Sequence, residues 1–174
     1  MIDIKFMRKM YRLNNLTRYN PWPKHNNESV ASHSYYVSLF TRMICYELGL
    51  SSESTLEAVT IALLHDTPEA LTNDITHDAK EQIPGLDELL QIVEQKFVRD
   101  HFPQFARHFS GTESVLHAIV KVADILSVVQ FADSEVQLGN KAFESILIRS
   151  IERVWKQVDK LESEEGIKCQ SIMI

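Results

Sequence analysis

Seven histidines and 24 acidic residues give this chain many possible pairings. The informative ones sit on apolar stretches, where burying an ionisable group is costly unless it is paired or metal-bound. Three places pass that filter. His65-Asp66 follows the almost fully apolar run Thr60-Ile61-Ala62-Leu63-Leu64, so a helix buried nearly all round delivers an imidazole and a carboxylate at its end. Neighbouring helical residues point about 100° apart, so both can reach one ion. The same pair also suits an ordinary helix C-terminus, where His complements the macrodipole. His33 lies one turn before Val37 on the inward stripe Val37, Phe40, Ile44, Leu48. It reads as a ligand or as a hydrogen-bonded core histidine. Asp124 stands inside Ile119-Val120-Lys121-Val122-Ala123-Asp124-Ile125-Leu126. Asp is a poor helix former and expensive to bury. Either it meets a cation or it ends a surface stripe with Lys121. Taken jointly, two histidines and two aspartates from three buried helices make a two-nitrogen, two-oxygen ligand set. That set suits Zn, Mn, Fe, Co or Ni and is poorly matched to Ca. A six-coordinate ion would leave room for waters and substrate oxygens.

The elements that must position these residues read as helices nearly throughout. A first segment, about 3–16, repeats Phe6, Met10, Leu13 and stops before Arg18-Tyr19-Asn20-Pro21-Trp22-Pro23, where two prolines forbid continuation. Residues 18–29 form a polar loop. A second helix runs from about Val30 to Leu48 and ends at Gly49. A third, from near Ser52 to about Asp66, carries Leu56, Val59, Leu63 and is stopped by Pro68. Thr67-Pro68-Glu69 reads as N-cap, N1 and N2 of a short new helix, and Asn73-Asp74 as a turn. Later helices start after Pro84-Gly85 (Leu86, Leu90, Val93, Phe97, breaking near Pro103), at about Thr112 to Leu138, and at about 141–163. The tail after Glu164 reads as loosely held. The expectation is one all-α domain over 1–174, a bundle of six or seven helices without a clean strand.

Composition narrows the function. Of 174 residues, 44% are apolar and 24% charged, while Gly and Pro number five each. So few turn residues speak against a loop-rich sandwich or barrel. Neither G-x-G-x-x-G nor a Walker-type lysine loop is present. No Ser lies in a G-x-S-x-G elbow. The net charge of −6 and the absence of a Lys/Arg-rich run argue against a nucleic-acid polymer as partner. A local pocket for one small anion is compatible with both. Cys45 and Cys169 lie far apart and outside any C-x-x-C, which points to a reducing cytosol. No run approaches 18 consecutive apolar residues and the N-terminus lacks a signal-like core, so no membrane span or secretion signal is expected.

The ordered set His33 … His65-Asp66 … Asp124 resembles the HD-domain metal-dependent phosphohydrolases. Further matches point to the small 5′-deoxynucleotidase-like branch. They are Arg18, fifteen residues before His33; the lead-in Glu28-Ser29-Val30-Ala31-Ser32-His33-Ser34; and His65-Asp66-Thr67-Pro68-Glu69-Ala70-Leu71-Thr72-Asn73-Asp74. HD alone is a weak motif; the set with Arg18, Glu69 and Asp74 is specific. The likeness spans about residues 10–130, and the last helices share only its character.

The resemblance implies roles. His33, His65, Asp66 and Asp124 would hold one divalent transition metal. Glu69 is similar to the family's catalytic glutamate, able to orient or deprotonate water or to protonate the leaving 5′-oxygen. Asp74 resembles the second acid, near the sugar or attacking water; it also suits a turn. Arg18 resembles the arginine that forks phosphate oxygens, and Lys80 stands where a second phosphate cation fits, or is solvated. Tyr19 occupies the place of a Trp that packs against the sugar and disfavours a 2′-hydroxyl. Tyr is smaller and brings a hydroxyl, so this departure touches sugar selectivity. Trp22 could supply the flat surface or cover the core.

The implied activity is hydrolysis of the 5′ phosphoester of deoxynucleoside monophosphates. An alternative is release of triphosphate from a deoxynucleoside triphosphate such as dATP. The chain is shorter than typical bacterial nucleotidases of the branch, and compact viral relatives of that second type are similarly short. A third reading is a non-catalytic, nucleotide-binding HD domain, against which the intact ligands and Glu69 speak. The resemblance also implies a cytoplasmic homo-oligomer.

Overall fold

The computed structural model describes residues 3–109 and 114–165. Its order is α1 (Ile4–Met10), α2 (Val30–Glu47), α3 (Ser52–Leu64), α4 (Glu69–Thr72), α5 (His77–Gln82), α6 (Leu86–His101), α7 (Val115–Gln137) and α8 (Glu144–Glu165). Short 3-10 turns lie at Tyr11–Asn14, Pro103–Phe109 and Lys141–Phe143. No strand is formed among the described residues beyond one antiparallel bridge, Thr17 to Ser29. The all-α expectation therefore stands. The expected start of the long helix at Thr112 and the state of the tail from residue 166, with Cys169, lie outside the described residues.

Helix α2 starts where its caps dictate. The Ser29 hydroxyl accepts from the Ser32 N–H at 3.0 Å, and the Ser32 hydroxyl accepts from the Ser29 N–H at 3.0 Å. This reciprocal pair satisfies two otherwise orphan donors and puts His33 in the first turn. At the other end Gly49 takes φ +67°, a conformation favouring glycine, and closes the helix.

The core lies between α2, α3, α7 and α8. Val37, Ile44, Ala58, Ala62, Ile119, Val122, Val154 and Leu161 are all buried in it. Each fully buried Val or Ile contributes roughly 1.5–3 kcal/mol relative to exposure. Helix α7 is central and packs on α2, α3 and α8. It is also the one described helix long and apolar enough, by length and composition, to cross a bilayer, with a window of mean hydropathy 1.7.

Three expectations need correction. The stripe Leu56–Val59–Leu63 does not face the core: Leu56 is 69% and Leu63 53% exposed. Ala58, Ile61 and Ala62 face inward instead, because small side chains let α3 approach α2 and α7 closely. Helix α3 is therefore open on one side. Thr67 does not cap α4; its hydroxyl donates to the Leu64 carbonyl at 2.6 Å, and Pro68, already helical, takes the cap position. Helix α5 was not foreseen, since residues 77–82 carry no apolar stripe.

Candidate metal centre and phosphate site

Three helices bring four ligand-type side chains together. The first turn of α2 supplies His33, the end of α3 supplies His65 and Asp66, and the middle of α7 supplies Asp124. His33 Nε2 lies 3.5 Å from Asp66 Oδ2 and 3.2 Å from Asp124 Oδ1. His65 Nε2 lies 3.2 Å from Asp66 Oδ2. Ligand atoms of His33, His65 and Asp66 all fall within 4.8 Å of one another.

The ring protons decide what this cluster is. His65 Nδ1 lies 2.6 Å from the Ala62 carbonyl, which can only accept, so Nδ1 carries the proton. His33 Nδ1 lies 3.1 Å from the Ser127 hydroxyl, which can donate or accept, and against Arg18 Nη1, which can only donate. Both Nε2 atoms are buried without a hydrogen-bond partner although carboxylates lie beside them. Carboxylates and unpartnered ring nitrogens packed this closely call for a cation, and His33, His65 and Asp66 are near enough to share one, with Asp124 beside His33. Imidazole and carboxylate donors fit a divalent transition metal, and the Nδ1 partners are the supports such ligands require. The residues present thus fit the group that the sequence implies.

Without a metal, a proton takes part of the cation's place. Burial and the nearby Arg18 charge hold His33 below its usual value, in the neutral form. Burial opposes charge on His65, but Asp66 outweighs it and pushes that ring up to about 9. Burial would raise both aspartates, yet His65 holds Asp66 far down and Lys121 holds Asp124 far down. Lys121 Nζ sits 2.9 Å from Asp124 Oδ2. The core cation and the surface partner proposed as alternatives for Asp124 are therefore compatible: one oxygen faces His33, the other Lys121.

Glu69 opens α4. Its Oε2 is buried with no hydrogen-bond partner. Burial, then Asp66 and Asp74, push its carboxyl up to about 9. A carboxyl so raised is a proton donor near neutral pH. Asp74 follows Asn73, which takes φ +61°, and burial raises it too. Lys80, on α5, is half-buried and lies close enough to Asp74 to lower it.

Arg18 Nη1 donates to Glu28 Oε2 at 3.1 Å and also lies against His33 Nδ1. Glu28 is the carboxylate acceptor for the guanidinium. Burial raises Glu28 to about 7 even against the pull of Arg18. Tyr19 takes φ +58°, a conformation rare for a bulky residue. Its ring stacks on Phe131 (4.8 Å, 3° between planes), and its hydroxyl is buried without a partner. Trp22 lies against Phe143 at 6.4 Å within the same aromatic cluster. Sequence reasoning missed Ser127 and Glu135, and saw Glu28 only as part of a motif. Their partners are remote in sequence, so no local pattern signals them.

Fold and site together define a metal-dependent HD phosphohydrolase. The sequence matches the family described as 5′-deoxynucleotidase YfbR-like over residues 5–165, and the chain belongs to that family. Solved structures share the fold. A conserved hypothetical protein from Pyrococcus furiosus is 25% identical, with TM-score 0.71, covering 91% of this chain and 97% of that one. The cyanophage S-2L HD phosphohydrolase DatZ, solved with dA and one catalytic Zn2+ ion, is 19% identical, with TM-score 0.73 over 91% and 85%. An HD-domain phosphohydrolase from Listeria innocua is 21% identical, with TM-score 0.71 over 92% and 85%. Among curated proteins nothing matches the chain.

Proposed function

We propose that this chain hydrolyses the 5′ phosphoester of deoxynucleoside monophosphates, releasing nucleoside and phosphate. The observation that carries the reading is the meeting of His33, His65, Asp66 and Asp124, with both ring Nε2 atoms unpartnered, beside the unpartnered oxygen of Glu69. His33, His65, Asp66 and Asp124 hold the metal. A divalent cation bound there supplies positive charge for phosphate oxygens and makes water more acidic. Arg18, already oriented by Glu28, forks phosphate oxygens, with Lys80 as a second cation. Water oxygen bonds to phosphorus as the P–O5′ bond breaks; Glu69 gives its proton to the leaving 5′-oxygen and regains one from the water, so a neutral nucleoside and phosphate depart. Asp74 orients water or the sugar, and Tyr19 offers its hydroxyl to the sugar side.

DatZ was solved with a bound deoxynucleoside, which supports a deoxynucleotide as the substrate class. A second reading keeps the same site and lets a triphosphate leave as one unit. Incubating the protein with dAMP and dATP, then separating phosphate from triphosphate by chromatography, distinguishes the two. Free phosphate from dAMP is expected; triphosphate from dATP alone overturns the first reading. A protein that turns over neither substrate with added Co2+ or Mn2+ is the non-catalytic binding domain. Family likeness further favours a homo-oligomer, which sedimentation of the purified protein tests directly.

A further inference from the structure

The loop from Arg18 to Glu28 belongs to no helix, yet it carries Arg18, Tyr19, Trp22 and Lys24. Its neck is closed by backbone bonds: Arg18 N–H donates to the Glu28 carbonyl at 2.9 Å, and Val30 N–H to the Leu16 carbonyl at 2.9 Å. Its tip is held by something else. The Glu135 carboxylate on α7, with no exposed surface, accepts from the backbone N–H of His25 and of Asn26, each at 2.7 Å. Asn140 Nδ2 donates to the same carboxylate at 2.8 Å and to the Pro23 carbonyl at 2.9 Å.

A buried charge is costly unless hydrogen-bonded. Here two of the three donors given for Glu135 come from the loop, and the third comes from a residue that grips the loop itself. Pro21 and Pro23 have no N–H to close the loop internally. Helix α7 also orders these contacts. Asp124, Ser127, Phe131 and Glu135 are spaced three, four and four residues apart, which is one helix face. Going down it, Asp124 meets the metal cluster, Ser127 meets His33, Phe131 stacks on Tyr19, and Glu135 holds the loop tip.

We propose that Glu135, with Asn140, is a positioning residue: it docks the Arg18–Glu28 loop on the face of α7 that carries Asp124, and so sets substrate phosphate affinity without touching substrate or metal. This rests on the reading of Arg18 as the phosphate contact. The carboxylate touches backbone amides only, so its effect on substrate passes through the loop.

The test compares wild type with Glu135→Gln, which keeps size but turns an amide donor toward the loop, and with Asn140→Ala, which loosens the Pro23 tie with Glu135 retained. The second variant serves if the first fails to fold. KM for dAMP is expected to rise about ten-fold, which one lost hydrogen bond supplies, with kcat within about two-fold. Metal affinity by chelator competition stays at the wild-type value, and tryptic cleavage after Lys24 accelerates. A purely structural role would lower the folded fraction instead, reducing kcat at constant KM; that outcome overturns the proposal. Weaker metal binding in step with KM overturns it as well, as does unchanged cleavage after Lys24. If wild type turns over no deoxynucleotide, the fault lies with the proposed activity. Binding of inorganic phosphate then replaces KM: weaker binding together with faster cleavage supports the clamp, and either one alone overturns it.

Discussion

Replacing Ser127 by Ala removes the buried hydroxyl beside His33 Nδ1 while leaving the apolar core intact. The ring can then turn or change tautomer, and Nε2 no longer presents a fixed lone pair. Supports of this kind contribute about 10–100-fold to metal affinity. Chelator competition should therefore show Ser127→Ala weakened by that factor and Ser127→Thr close to wild type; equal affinities would show that Ser127 does not support the ring. Glu69 gives a different signature. Glu69→Gln keeps the shape but removes the transferable proton, so turnover should fall by about 10²–10⁴-fold with metal content unchanged. An active Glu69→Gln protein would show that another group supplies the proton. At this scale the sequence already pointed to the four converging side chains, since buried-helix context marks an ionisable residue as needing a partner. Ser127 and Glu135 were invisible because serines and glutamates on helices are common, and their partners lie 94 and 110 residues away.

Among the elements, α7 both centres the core and carries the site. Ile119→Ala leaves a cavity where nothing can collapse easily, since the residue has no exposed surface. A loss of about 2–5 kcal/mol is expected, readable as a lower denaturant midpoint with an unchanged slope. A midpoint near wild type would mean that α7 is less central than its packing indicates. Helix periodicity made α2, α6, α7 and α8 legible, because each hides a long apolar stripe. It misassigned the inward face of α3, where alanines rather than leucines meet the neighbouring helices. It gave no sign of α5, whose six residues have no such stripe.

For the molecule as a whole, metal binding and proton binding compete. Without a cation, His65 is pushed up to about 9 by Asp66, and Glu69 to about 9 by burial and its acidic neighbours. Both hold a proton more tightly folded than unfolded. Their stabilising contribution is complete below their ordinary values and is lost as pH rises through the folded ones. Asp66 and Asp124 are held low, so their contribution is lost only in acid. The metal-free protein should therefore weaken from neutral toward alkaline pH, where a cation replaces the missing protons. The gap in Tm between metal-loaded and chelator-treated protein should widen between about pH 5.5 and 8.5. A gap of constant size would mean that these groups do not face the ion.

Helix α7 also works as a ruler. Between Asp124 and Glu135 lie eleven helical steps, roughly 16 Å, and each step turns the chain by about 100°. One extra residue spliced in after Ser127 would swing Phe131 and Glu135 to another side while Asp124 and Ser127 kept their places. Such an insertion would uncouple ion capture from anion capture, leaving a chain that still takes up metal and no longer grips phosphate. Point substitutions along this rod are tolerable in many places; a change in its length is not.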